Sequence, residues 1–144
     1  MGMYTHLVLN VNFATNTPKE IIDTVRYMVG DTDMEPPVKN HPLFKCDRWA
    51  ICLCCDSCYF MGHTNTSMTF VECLNEWQLT VNSNCKNYLQ EYQHFLDYIE
   101  PYIEEKGYLG FIRYEEDDHP TLIYNTYNGI EYVTPTVDLK GDLW

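Results

Sequence analysis

The chain has 144 residues, 45% apolar and 15% aromatic with twelve Tyr, which is one domain's worth of sequence with enough apolar mass for a core. Twenty-one Asp/Glu oppose nine Lys/Arg for a net charge of −12, and residues 51–144 alone hold fifteen acids against four bases. That field excludes direct capture of nucleic acid or of an anionic membrane and favours a basic partner surface.

No apolar run approaches the ~20 residues of a membrane-spanning helix. The N-terminus lacks the basic-then-apolar layout of a signal peptide. Met1-Gly2 begins like a myristoylation signal, but His6 stands where Ser or Thr is required, and residues 1–3 read as an expression remnant ahead of a start at Met3. Seven Cys, an odd number, without a secretion signal predict a reducing, cytoplasmic setting.

Tyr4 to Phe13 alternates, with Leu7, Leu9, Val11 and Phe13 on one face, and predicts a half-buried strand. Thr17-Pro18-Lys19-Glu20 supplies an N-cap, a proline at the first helical position and a capping-box glutamate. A helix should follow, with Ile21, Ile22, Val25 and Met28 inward and Gly30 as its stop. Residues 31–47, with three prolines, predict a long surface loop. Trp49 to Phe60 alternates again and predicts a second strand, and Met68 to Val81 predicts one or two more, broken near Asn75-Glu76.

A second helix is expected over Asn84–Lys106, with Tyr88, Leu89, Tyr92, Phe95, Leu96, Ile99, Tyr102 and Ile103 as its apolar stripe and Pro101 kinking its last turns. Tyr108–Tyr114 predicts a strand, 115–120 an acidic turn, and Thr121–Tyr127 with Ile130–Val133 a hairpin through Asn128-Gly129. Residues 135–144 are expected to fray, with Trp144 able to dock. The order β-α-β-β-(β)-α-β-β-β predicts a single α+β domain over 1–144: one layer of largely antiparallel sheet with two helices packed on one face.

Several segments together carry a resemblance: Leu43-Phe44 with Asp47-Arg48-Trp49; Asp56-Ser57 with Tyr59-Phe60 and Gly62; Lys86-Asn87-Tyr88; and Leu109-Gly110 through Arg113-Tyr114-Glu115-Glu116 to Pro120-Thr121-Leu122-Ile123-Tyr124. Across residues 4–125 the chain resembles a group of small phage and prophage proteins of Firmicutes. The resemblance implies a setting, a small accessory phage gene of the kind that manages host defences inside the host cytoplasm. It carries over no functional residues.

Cys55-x2-Cys58-x4-His63 matches three ligands of a zinc knuckle, but the fourth position is Met68, a poor zinc ligand. The competing reading is small apolar residues on a buried strand. Asp31-x-Asp33-x-Glu35 begins like a calcium loop, yet Pro36 occupies the position of the turn glycine. No phosphate loop, nucleophile elbow or zincin motif occurs, so the sequence points to binding rather than catalysis and implies no cofactor.

The acidic residues are the leading candidates. Glu91, Asp97, Glu100, Glu104 and Glu105 lie off the expected helix stripe and should be exposed, and Glu115, Glu116, Asp117 and Asp118 form the acidic turn. Such a surface can imitate the phosphates of nucleic acid and occupy a basic groove of a host protein. The same charge would also serve solubility alone. The alternative is a pocket for a small signalling nucleotide, with Tyr59, Tyr114 and Tyr124 stacking and Arg48 and Arg113 holding phosphate.

Overall fold

The computed structural model describes residues 3–37, 40–60 and 64–141. Strand β1 spans Thr5–Asn12, and its alternation holds: Leu7, Leu9, Val11 and the following Phe13 are each at most 1% exposed. Helix α1, Lys19–Met28, buries Ile21, Ile22, Val25 and Met28. It begins one residue later than the capping box implies, with Pro18 at the entry and no side-chain cap. Thr17 turns the other way, its hydroxyl donating to the Ala14 carbonyl at 2.6 Å. Gly30, at φ +83°, takes the left-handed conformation that stops the helix.

The remaining strands are β2 (Ser67–Val71), β3 (Glu76–Cys85), β4 (Gly107–Tyr114), β5 (Thr121–Thr126) and β6 (Gly129–Val133), with helix α2 (Glu91–Ile99) between β3 and β4. They form one antiparallel sheet in the order β2-β3-β1-β4-β5-β6. The segment β1-α1-β2-β3-α2-β4 is the split βαβ arrangement, widened by the β5–β6 hairpin. Both helices pack on the face that presents Leu7, Leu9 and Val11, where Val25, Tyr92, Phe95, Leu96 and Ile99 complete the core. The opposite face carries His6, Val8 and Asn10 of β1 and, among the described residues, no helix, which is the usual division of labour for an antiparallel sheet.

Close approach is most severe where β4 crosses β1. At Gly110 a Cβ would lie 2.0 Å from the Val8 carbonyl oxygen, and the β4–β5 register shifts at the same place. Only a residue without a side chain fits there.

Three expectations are corrected. Trp49–Phe60 is not a strand: residues 49–54 are consecutive turns, with Cys52 N–H donating to Arg48 O and Cys54 N–H to Ile51 O, both at 2.9 Å. The buried residues there, Cys52 and Leu53, are adjacent, so local hydrogen bonds override the apparent alternation. The second helix is nine residues long because Asn84 and Cys85 extend β3, and Gln90 enters the left-handed region at φ +58° before α2 starts. Tyr88 and Leu89, expected in its stripe, are exposed. At the other end Pro101 does not kink the helix but ends it, and the chain tightens into a 3-10 turn over Glu100–Tyr102. Finally, the 31–47 loop is not wholly superficial, since a 3-10 turn at Pro42–Lys45 plants fully buried Leu43 in the core beside α2.

The strand break before Glu76 is present as a 3-10 turn ended by Asn75 at φ +52°. In the last hairpin the two loop residues are Tyr127 and Asn128, with Gly129 opening β6 at φ +102°. Residues 134–140 have no regular structure, and the expected docking of Trp144 lies outside the described residues.

Candidate functional site

The acidic candidates divide by what their carboxylates do. Glu91 is fully buried rather than exposed: the turn at Gln90 folds it back so that Oε1 accepts from Leu89 N–H at 3.0 Å. Its Oε2 is buried with no hydrogen-bond partner among the described residues. Glu105 accepts the Asn12 N–H through both oxygens, at 3.0 and 3.1 Å, and so ties the approach to β4 onto the end of β1. Glu115 accepts the Tyr4 N–H, and Asp117 the Tyr114 N–H at 3.3 Å. These carboxylates satisfy backbone donors and hold the fold.

Asp97, Glu104, Glu116 and Asp118 are exposed and Glu100 is half-buried, and none has an ion-pair partner among the described lysines and arginines. They do not share one helix face. Asp97 lies on α2, Glu100 and Glu104 follow it, and Glu116 and Asp118 sit on the β4–β5 turn. Tyr132 lies beside the first of these groups. Asp97 acts on its hydroxyl, which is pushed up to about 12 by burial first and that charge second. Asp117 and Gln93 line a hollow of about 300 Å³ beside the same ring. Tyr114 is also raised, by desolvation and then by Glu116 and Glu115.

The basic side chains of the second half do not neutralise this charge. Lys86 lies 5.9 Å from the Tyr4 ring centroid, Lys106 5.5 Å from Tyr127 and Arg113 5.7 Å from Phe60. Both ion pairs among the described residues lie earlier, Lys19–Asp23 at 2.5 Å and Arg26–Asp31 at 3.3 Å.

A second feature lies on the helix-free face of the sheet. His6 on β1 is the register partner of Arg113 on β4, which puts both side chains on that face. Phe60 covers them, its ring 4.8 Å from His6, and Phe111 meets His6 edge-on at 5.6 Å. With Tyr59, Asp118 and Pro120 they line a hollow of about 610 Å³. His6 Nε2 is fixed against Asn82 Oδ1 at 2.7 Å, and Arg113 Nε donates to the Asp117 carbonyl at 3.1 Å.

Of the five residues expected in a nucleotide pocket, only Tyr59 and Arg113 come together. Arg48 lies over Tyr88, Tyr114 lines the hollow beside Asp117, and Tyr124 packs edge-on against Tyr108. His6 and Phe111 escaped the sequence reading, although their alternation with core residues places them on the outer face once the β1–β4 register is known.

Of the knuckle residues, two lie among those described. Cys55 is half-buried, Cys58 is exposed, and His63 lies outside the described residues. No described group of three or more His, Cys, Asp or Glu could hold a metal ion. Burial pushes the Cys52 thiol well up and Cys85 to about 12, so both remain protonated at neutral pH. No described helix is long and apolar enough to cross a membrane. Comparison with protein-family models, with curated proteins and with solved structures gave no match.

Proposed function

We propose that the chain is an acidic binding protein whose carboxylates occupy a basic, nucleic-acid-binding surface of a partner. In the setting that the resemblance implies, it is a counter-defence inhibitor of a host protein. The observation that carries this reading is the uncompensated charge of the second half. Asp97, Glu100, Glu104, Glu116 and Asp118 have no ion-pair partner among the described lysines and arginines, while Lys86, Lys106 and Arg113 are held over rings instead. A field of that kind draws in a cationic surface and repels nucleic acid. Its carriers are Asp97, Glu100, Glu104, Glu116 and Asp118. Glu91, Glu105, Glu115 and Asp117 support the scaffold.

The test is capture from a bacterial lysate at low salt on the immobilised chain and on a variant with those five carriers changed to Lys. Nucleic-acid-binding proteins should stay on the first, leave it as salt rises, and pass through the second. Equal retention on both would overturn the reading.

A second reading follows from the outer-sheet hollow, where Arg113, His6, Tyr59 and Phe60 converge. It takes a planar anionic ligand such as a nucleotide, stacked on the rings with its phosphate toward Arg113. Calorimetric titration of a nucleotide panel against the wild type and Arg113→Ala decides it: loss of binding in the variant supports it, and a panel without heat ends it.

A further inference from the structure

Between α1 and α2 lies a hollow of about 450 Å³ that neither site above uses. Its walls are the rings of His41, Phe44, Tyr98 and Tyr102, and Glu20 and Asp97 stand among the lining residues. The rings are held by one another: Phe44 meets Tyr98 edge-on at 5.3 Å and 83°, and His41 meets it at 5.2 Å and 69°. Thr24 of α1 lines the hollow as well, its hydroxyl donating to the Glu20 carbonyl at 2.7 Å.

His41 adds no positive charge here. Its Nδ1 accepts the Leu43 N–H at 3.1 Å, and burial lowers its pKa against the pull of Asp97. No lysine or arginine is among the described lining residues. Among the described residues the hollow therefore combines aromatic walls with two carboxylates and no lysine or arginine, which is the environment that attracts a guanidinium. The planar cation stacks on a ring and donates to a carboxylate at its edge.

We propose that this hollow is a socket for an arginine side chain of the protein partner, with Tyr98 and Phe44 as its walls and Asp97 and Glu20 as its anions. The inference rests on the reading that the partner is basic, and it names which contact turns a diffuse field into an oriented complex. Asp97 belongs to both, so the socket lies at one end of the acidic face.

The experiment uses the isotope-labelled full chain and two probes in low salt. The first is the blocked peptide acetyl-Gly-Arg-Gly-amide, with its neutral citrulline analogue as control; the second is deca-arginine. Ring resonances of Tyr98 and Phe44 should shift with the arginine peptide and not with citrulline. Asp97→Asn, an exposed change that leaves the fold intact, should weaken the arginine peptide about fivefold to tenfold, as expected for loss of one charge-assisted contact. Equal shifts with citrulline would overturn the socket. So would deca-arginine binding that leaves Tyr98 and Phe44 unmoved, and that result would spare the acidic-face reading. Absence of deca-arginine binding at low salt would end both.

Discussion

Tyr92→Phe and Ser83→Ala, made singly and together, probe how the turns at 49–54 are held against the sheet. The Cys52 carbonyl is fully buried and has two donors, the Ser83 hydroxyl at 3.0 Å and the Tyr92 hydroxyl at 3.1 Å, which lie 2.8 Å from each other. Removing either hydroxyl leaves the other on the carbonyl, so each single change should cost about 1 kcal/mol, the net value of one ordinary hydrogen bond. Removing both strands a buried acceptor, which adds its desolvation cost of roughly 1–3 kcal/mol. The double variant should therefore lose about 3–5 kcal/mol, with a coupling of at least ~1 kcal/mol beyond the sum of the singles. Urea unfolding reads this directly: at a slope near ~2 kcal/mol/M the singles shift the midpoint by about 0.5 M and the double by more than about 1.5 M. A double shift equal to the sum of the singles would refute the shared-acceptor argument. The consequence reaches the outer-sheet hollow, because the Cys52 turn leads into Tyr59 and Phe60.

Gly110→Ala should force β1 and β4 apart, since the new methyl group would overlap the Val8 carbonyl and approach Leu9 Cα within 2.9 Å. A loss of about 3 kcal/mol and a melting point lower by roughly 10 °C are expected, and an unchanged melting curve would contradict the close approach. Thiol titration of the native chain at pH 8 should label exposed Cys58 and Cys73 quickly and Cys52 and Cys85 only after denaturant is added; rapid native labelling of Cys85 would place the core wrongly. Burial lowers the pKa of His41 in the fold, Asp97 of α2 pulling it back up and His94 of α2 lowering it further, with Glu20 of α1 lining the same hollow. Its contribution to stability is present above the unfolded value of about 6.5 and is lost as pH falls through the lower folded value. His41→Asn keeps a side-chain cap for Leu43 N–H and should flatten that decline in melting temperature between pH 6.5 and 5, and a parallel decline would refute the assignment.

What was legible in the residues follows from how local each signal is. The alternation of Leu7, Leu9, Val11 and Phe13 is unambiguous because one face is wholly apolar, and β1 is an inner strand paired with β3 and β4. Asn128-Gly129 marked the last hairpin, though the turn itself sits one residue earlier. Trp49–Phe60 misled because Cys, Trp and Ile suit a buried turn as well as a strand, and only tertiary contact with Ser83 and Tyr92 distinguishes the two. Helix 2 looked too long for a related reason. Asn84 and Cys85 pair with His6 and Thr5, a long-range choice that overrides any helical spacing.

The candidate site was harder still. Glu91 looked like one more surface carboxylate, yet a single left-handed residue, Gln90, turns it into the core. Charge composition identified the sign of the field, while the carriers had to be separated from Glu105, Glu115 and Asp117 by their backbone hydrogen bonds. The outer-sheet hollow depends on the β1–β4 register, which no local pattern encodes.

The central claim is that uncompensated carboxylates bind a basic surface, and calorimetric titration of deca-arginine against two variants tests it most directly. In Asp97→Lys with Glu100→Lys, Glu104→Lys, Glu116→Lys and Asp118→Lys, binding at low salt should be lost while the melting curve is retained. In the second variant, Glu72→Lys with Glu76→Lys on the β2–β3 side, binding should fall only modestly. Equal losses in the two variants, or retention in the first, would contradict the account.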